Sequence, residues 1–224
     1  VSQPDESLQM LRELLPSASD ERKDRIQRLI RSTEERLLYR DIAERKFDEA
    51  EQRFDRIRVE FPSIGNSRTI RESLAGAMVD RALESLQKGD VTGAHEIYDR
   101  LRDDPAKQIS DRDERLYRQF KLGEALLAMA EGDTAGALRP IDEAAGRFSR
   151  HQSDLTYFIK DHFDASAIEA HGDELKASGN NLAAAVWYEA AALKLGFYDV
   201  GEGLKSKLGS ARLAVASEIR AGQI

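Results

Sequence analysis

The chain has 224 residues, of which 41% are hydrophobic, and its 34 basic and 41 acidic side chains leave a net charge of −7. This balance argues against a nucleic-acid partner, because such a surface needs clustered positive charge to displace counterions from phosphates. The absence of cysteine excludes disulfides, thiolate metal sites and a thiol nucleophile. Proline and β-branched residues are few beside Ala, Leu, Glu and Arg, so the composition predicts an all-α fold.

Neither the composition nor the N-terminus fixes the compartment. No segment approaches the roughly 20 apolar residues of a membrane-spanning helix, so no membrane span is expected. The chain begins at Val1 rather than Met, which we interpret as removal of a signal peptide, an anchor or a neighbouring domain. A cysteine-free acidic chain favours the bacterial periplasm or envelope slightly over the cytoplasm, which stays open.

Residues 1–19 form a predicted N-terminal segment, in which four leucines (Leu8, Leu11, Leu14 and Leu15) predict a short helix that Pro16 ends. After it, four windows of the chain align on one alanine each. The alanines are Ala50, Ala94, Ala137 and Ala184; the large apolar residues four positions later are Phe54, Tyr98, Ile141 and Tyr188. Positions i, i+4 and i+7 share one helical face, and all four windows are apolar there. Each window therefore predicts a short amphipathic helix that meets another backbone closely at its alanine.

A turn precedes three of these helices. Gly89, Gly132 and Gly179 each stand before Asp or Asn, a pair that ends one helix and caps the next. The first window has Arg45 in place of the glycine, which makes its turn less certain. A longer helix with apolar residues at helical spacing is predicted upstream of each turn, with a small residue such as Ala82 or Gly172 seven positions before the glycine. In the fourth hairpin this helix carries Phe158, Phe163, Ile168 and Leu175. The predicted unit is helix, tight turn, helix.

This pattern resembles the tetratricopeptide repeat over roughly residues 20–197, most closely at 171–180. The stretch 47–63 is similar to repeats of bacterial outer-membrane assembly lipoproteins and their periplasmic relatives. The resemblance implies a right-handed superhelical solenoid of about four hairpins. At the C-terminus, apolar residues every three or four positions from Leu204 to Ile219 predict a capping helix within 198–224, with Lys205, Lys207, Arg212 and Arg220 facing water. The alanines are 44, 43 and 47 residues apart, against about 34 in the standard repeat. That spacing also fits HEAT-like repeats, although the residues of the turns favour the tetratricopeptide interpretation. The extra residues of each unit must lengthen the first helices, the connections between hairpins, or both.

The sequence offers little for catalysis. None of the histidines (His95, His151, His162, His171) forms a metal-binding pair at i, i+4, and Gly201-Glu202-Gly203 is a turn rather than a dinucleotide loop. The many carboxylates are interpreted as solvated helix faces. We therefore expect no enzyme activity, no metal and no cofactor. Trp187 is expected to pack on the C-terminal helix or, alternatively, to line a binding patch.

The resemblance implies binding of a peptide or partner helix in a concave groove lined by the first helices. Carrying the groove positions of the family over to this chain gives Glu35, Tyr39, Val79, Leu83, Leu122, Leu126, Glu169 and Asp173. An apolar middle and an acidic end suit an amphipathic helix with a basic flank. We expect a non-catalytic protein-interaction scaffold or adaptor. A self-associating structural protein, hence a homo-oligomer, and a small-ligand domain with a pocket near His171, Trp187 and Tyr198 are the alternatives.

Overall fold

Helices account for nearly all of the chain that the computed structural model describes, namely residues 3–62, 67–103, 109, 113–147, 152–196 and 200–223. No strand occurs in these residues, so the predicted all-α class is confirmed. The helices are α1 (Gln3–Leu14), α2 (Asp20–Ala43), α3 (Phe47–Glu60), α4 (Arg68–Gln87), α5 (Val91–Asp103), α6 (Glu114–Ala130), α7 (Thr134–Ala145), α8 (Ser153–His162), α9 (Ala165–Ala177), α10 (Asn181–Leu195) and α11 (Glu202–Arg220), with a 3₁₀ turn at Leu15–Ser17.

The chain divides into two packed units. Unit 1 comprises residues 1–110 and holds α1–α5, whereas unit 2 comprises residues 111–224 and holds α6–α11. Within unit 1, α2 pairs with α3 and α4 with α5; within unit 2, α6 pairs with α7 and α9 with α10. The predicted segment boundaries after residues 19 and 197 are finer than this division and stay predictions.

The four aligned alanines occupy equivalent places. Each lies in the first turn or so of the second helix of its hairpin, and its side chain is fully buried, as are the four large residues one turn later. In the fourth hairpin the close approach is explicit: a methyl group at Gly172 would lie 2.7 Å from the ring of Tyr188. The sequence pattern thus identified where two helices of a hairpin touch.

The turns also repeat in detail. Gly89, Gly132 and Gly179 have φ of +78°, +83° and +86°, and the amide after each glycine donates to a carbonyl five residues earlier. The first hairpin makes the same turn without glycine, because Arg45 adopts φ +61° and the Lys46 amide donates to the Asp41 carbonyl at 2.8 Å. The turn of the first hairpin is therefore of the same type as the other three.

Replacing Arg45 by glycine is expected to stabilise the protein by about 0.5–1 kcal/mol, because a side chain at positive φ is strained. The substitution removes an ion pair with Glu84, but more than half of the Arg45 side chain is exposed and such pairs contribute little. Thermal unfolding followed by circular dichroism measures the change. The control is Glu44→Gly, at φ −83°, which should destabilise. A lower melting temperature for Arg45→Gly than for wild type would contradict this account.

One helix prediction is wrong. The sequence placed Phe158, Phe163 and Ile168 on one long first helix of the fourth hairpin, but two helices, α8 and α9, occupy that stretch. The break falls at Phe163 and Asp164, whose ψ angles of 154° and 149° are extended. An added helix thus accounts for the longest interval between alanines. In unit 1 the extra residues lengthen the first helices, since α2 has 24 residues and α4 has 20.

The C-terminal helix lies against α10, as expected of a covering helix. Leu204, Leu208 and Ala211 are buried, whereas burial declines at Val215 and ends at Ile219. Helix α10 is the centre of unit 2, because nine of its 15 residues are buried and it also packs on α7, α8 and α9. Within the described residues, none of the helices combines the length and the hydropathy needed to cross a membrane.

Candidate functional site

Four of the eight predicted binding residues lie in unit 1. Val79 is 0% exposed, so its side chain belongs to the interior of the unit and not to an open surface. Glu35, Tyr39 and Leu83 are half-buried. The pKa of Tyr39 is raised by burial and by the nearby Glu35 carboxylate, and a hydrogen bond with Ser73 of α4 partly offsets this shift. These contacts make Tyr39 a link between α2 and α4.

The other four lie in unit 2. Leu122 and Leu126 are half-buried and one turn apart on α6, and Leu122 packs on the core of the unit. Glu169 and Asp173 on α9 both accept hydrogen bonds from Lys207 of α11, at 2.7 and 2.6 Å. The hydrogen bond from Lys207 lowers the pKa of Asp173. The acidic end that the sequence assigned to a basic partner is thus paired inside the chain, and Lys207, predicted to face water, is its counter-ion.

An open groove runs beside α10, between α8 and α11, and we call it the α10 groove. Its cavity volume is about 410 Å³. The lining residues are Gln152, Ser153, Thr156, Leu182, Ala185, Val186, Glu189, Arg212 and Val215. Leu182 and Val186 form a mostly buried apolar floor, and an ion pair of 3.0 Å between Arg212 and Glu189 stands at the rim. The groove combines apolar area with one charged anchor pair.

The sequence builds this groove locally. Asn180 caps α10 through its side-chain oxygen, which accepts from the Ala183 amide at 3.3 Å. At the other end of α10, the Lys194 ammonium donates to the carbonyls of Lys160 and Phe163, which fixes the end of α8 against α10. The side chain of Ala185 is too small to fill the space between the flanking helices. A groove therefore stays open along α10.

A polar cluster ties three helices of unit 2 together. Asp142 of α7 accepts from the Trp187 indole at 2.9 Å and pairs with His171 Nε2 at 2.8 Å. The other imidazole nitrogen lies 3.3 Å from Glu174, and the rings of His171 and Trp187 meet edge to face at 4.5 Å. A carboxylate at each nitrogen favours the protonated form of His171, and both ring nitrogens already have a partner within the chain. The cluster is a helix clamp.

Trp187 itself is fully buried, with Phe163 at 5.4 Å on its far side. It therefore does not line an open binding patch. Of the three residues proposed to surround a ligand pocket, the structure brings His171 and Trp187 into contact, while Tyr198 lies outside the described residues.

The clamp should make stability depend on pH. The pKa of His171 is raised from 6.5, chiefly by the hydrogen bond to Asp142 and against the effect of burial. The folded state thus binds the proton more tightly than the unfolded state, so the stabilisation is complete below about pH 6.5 and is lost as pH rises through the folded pKa. We expect His171→Gln to flatten the decline of the free energy of unfolding as the pH rises above about 6.5. Urea unfolding followed by Trp187 fluorescence measures the free energy of unfolding at each pH, with His162→Gln as the control. If it fell equally steeply with pH in wild type and in His171→Gln, the His171–Asp142 pair would not be the cause.

Unit 1 contains a buried ionic network that the sequence analysis missed. Arg53 of α3 donates to Asp41 at 2.8 Å, to Glu34 at 2.7 Å and to Asp5 of α1 at 3.3 Å. Glu34 and Asp41 are almost fully buried. A signal was present, since Glu34 follows Ile30 by four residues and Asp41 follows Leu37 by four, which puts both acids on the apolar face of α2.

No family model, no curated protein and no solved structure matches this chain. The site is therefore interpreted from its own geometry. The described parts of the chain hold no group of three side chains placed to ligate a metal ion. The α10 groove offers contact area and a charged pair to a partner, and the two polar clusters serve helix packing.

Proposed function

We propose that this protein is a non-catalytic interaction scaffold or adaptor, built from tetratricopeptide-like hairpins, that binds a helix or peptide of another protein. The observation that carries the proposal is the α10 groove, an open space with an apolar floor between α8, α10 and α11. The repeated turn and the four buried alanines support the repeat interpretation, because stacked hairpins with such contacts make extended binding surfaces.

The chemistry of the groove suits an amphipathic segment. Leu182, Val186 and Val215 offer apolar contacts to one or two large aliphatic side chains, since anchors of this kind dominate helix-in-groove binding. Glu189 and Arg212 are exposed enough to exchange their ion pair for contacts with a charged flank of the ligand. Charge at such a rim sets the orientation and the encounter rate more than the affinity.

The alternative for this function is what we call the first-helix surface, which comprises one patch in each unit. The patch of unit 1 has Glu35, Tyr39 and Leu83, and the patch of unit 2 has Leu122 and Leu126. This surface is reduced relative to the sequence prediction because Val79 is buried and because Lys207 engages the two acids of α9.

The proposal predicts that a phage-displayed library of helical peptides yields ligands that protect α8, α10 and α11 from hydrogen exchange. Val215→Glu, which puts a charge in the groove, should weaken their binding by about tenfold or more. Leu213→Glu is the matched control, because Leu213 is on the same helix, is 74% exposed and does not line the groove. The Leu83→Glu, Leu126→Glu double variant tests the alternative surface.

Three results are decisive. Loss of binding in Val215→Glu alone supports the α10 groove, and loss in the Leu83→Glu, Leu126→Glu variant alone transfers the function to the first-helix surface. A library that yields no ligand, or ligands equally indifferent to all the substitutions, overturns the proposal.

Self-association is a second candidate, favoured by the outward apolar residues of α11, where Leu213 is 74% and Ile219 is 47% exposed. Light scattering over a range of protein concentrations separates the two functions. If these residues pair two copies, the apparent mass should rise with concentration in wild type and stay at the monomer value in Leu213→Glu.

A further inference from the structure

We propose that the surface of α2 and α3 beneath α1 is a docking site for a partner helix, and that α1 fills this site as a displaceable intramolecular ligand. This site belongs to unit 1, so the inference does not rest on the α10 groove. The partner is a short helix of another protein that carries Asp, Leu and Arg at positions i, i+3 and i+7 of one face.

The charges of α1 match those of the surface. At one end, Asp5 lies 3.3 Å from both Arg40 and Arg53. Two turns on, Arg12 donates to Glu60 at 2.8 Å and to Glu34 at 2.9 Å. Asp41 offsets one of the two arginines, so the surface has a net positive end at Arg40 and Arg53 and a net negative end at Glu34 and Glu60. These ends set the direction and the register of a bound helix.

Apolar contact between the two ends is modest. Leu8 is buried against Ile30 and Leu37, with Leu11 and Phe61 partly buried beside them. A 12-residue helix is only marginally stable by itself in water. Burial of one leucine adds little apolar contact area to hold it in place. The ion pairs of α1 thus provide selectivity, while its small apolar contact provides little stability. Both are expected of a segment that can be displaced.

The outer face of α1 differs from that of a permanent cap. Terminal caps of helical arrays put polar side chains outward. In α1, Met10 and Leu14 share the outer face and are 64% and 56% exposed, while Asp5 and Arg12 lie beside buried Leu8 on the inner face. The ion pairs of Asp5 and Arg12 are half-exposed, since these side chains are 30% and 38% accessible, and such pairs set the orientation of a helix more than they add stability.

Binding of a labelled peptide of residues 1–19 to the full chain tests the proposal. Two proteins are compared: wild type, and an open variant with Asp5→Asn, Leu8→Ala and Arg12→Gln, all in α1. A tethered segment competes at an effective concentration of about a millimolar, so the open variant should bind the peptide at least about tenfold more tightly than wild type. The control peptide has Asp5 and Arg12 exchanged, which keeps its composition and reverses its charge pattern; it should not bind.

Further arms make each outcome decisive. Arg40→Gln with Glu60→Gln in the open background changes only half-exposed side chains of the surface and should reduce binding of the peptide. Equal binding of both peptides, or none while hydrogen exchange shows α2 and α3 still folded, overturns the proposal. Loss of protection in α2 and α3 of the open variant without peptide also overturns it, because α1 would then be a structural part of the hairpin. A mixed dimer of wild type and open variant in light scattering would reassign the occupant to a second copy of this chain.

Discussion

Replacement of Arg53 by methionine is expected to destabilise unit 1 by about 3–5 kcal/mol, the usual cost of removing one partner from a buried ionic network. Arg53 is the centre of three ion pairs, and its loss leaves Glu34 with Arg12 and Asp41 with Arg40 as their remaining cations. Arg12 and Arg40 are half-exposed and are shared with Glu60 and Asp5, so the two buried carboxylates keep an excess of negative charge that favours uptake of a proton.

Hydrogen exchange of the α2 and α3 amides measures this effect within unit 1. The control is Arg56→Met, which makes the same change on the same helix at an exposed position and should alter stability by less than about 1 kcal/mol. If Arg53→Met also changed the protection of these amides by less than about 1 kcal/mol, the network would be a surface feature and not a buried one.

A second substitution should recover part of the loss. Removing Glu34 together with Arg53 leaves Arg12 paired with Glu60 and leaves Arg40 paired with Asp41. The net charge of the network is then the same as in wild type, and two methionines can pack in place of the buried pair, which is often neutral or stabilising. Glu34→Met with Arg53→Met should therefore be more stable than Arg53→Met alone, a non-additivity typical of residues in direct contact.

The sequence predicted the hairpins well because their determinants are local. A small residue at the helix crossing, a large residue one turn later and a turn with positive φ all lie within about ten residues of one another. Ala94, Tyr98 and Gly89 therefore specify their hairpin with little help from the rest of the fold. Even Arg45 follows the pattern, because the hydrogen bonds of the turn impose the backbone geometry that glycine provides elsewhere.

The break between α8 and α9 lacked such a determinant. Neither glycine nor proline occurs at His162-Phe163-Asp164, and Phe158 and Ile168 keep an apolar spacing that a single helix would also show. Tertiary packing decides here: buried Phe163 is fixed against Trp187, and Lys194 binds the carbonyls where α8 ends. The partners lie 24 and 31 residues away along the sequence, outside any local window.

The predicted binding residues transferred less well for a related reason. Mapping from a repeat of about 34 residues assumes that equivalent positions face the same way. In the 20-residue α4 that assumption fails at Val79, which lies in the core of unit 1. Glu169 and Asp173 are accessible on α9, but they bind Lys207 of α11 and not a partner protein. The family resemblance carried no information about that helix.

Replacement of Trp187 by alanine is expected to destabilise unit 2 by about 3–5 kcal/mol, the range for truncation of a fully buried aromatic side chain. The substitution removes contacts with Phe163 and His171 and leaves a cavity at the junction of α8, α9 and α10. It also removes the indole donor of Asp142, so the helix clamp keeps only its histidine.

Urea unfolding followed by far-UV circular dichroism measures this loss, since Trp187 is the sole tryptophan and its removal abolishes the fluorescence signal. Trp187→Phe keeps most of the apolar volume and should cost less than Trp187→Ala, with the difference reporting the cavity. Tyr157→Ala truncates a largely exposed aromatic of α8 and should cost less than about 1 kcal/mol. If Trp187→Ala lowered the free energy of unfolding by no more than Tyr157→Ala, Trp187 would lie outside the core of unit 2. The packing of α10, on which the proposed binding function depends, would then be contradicted.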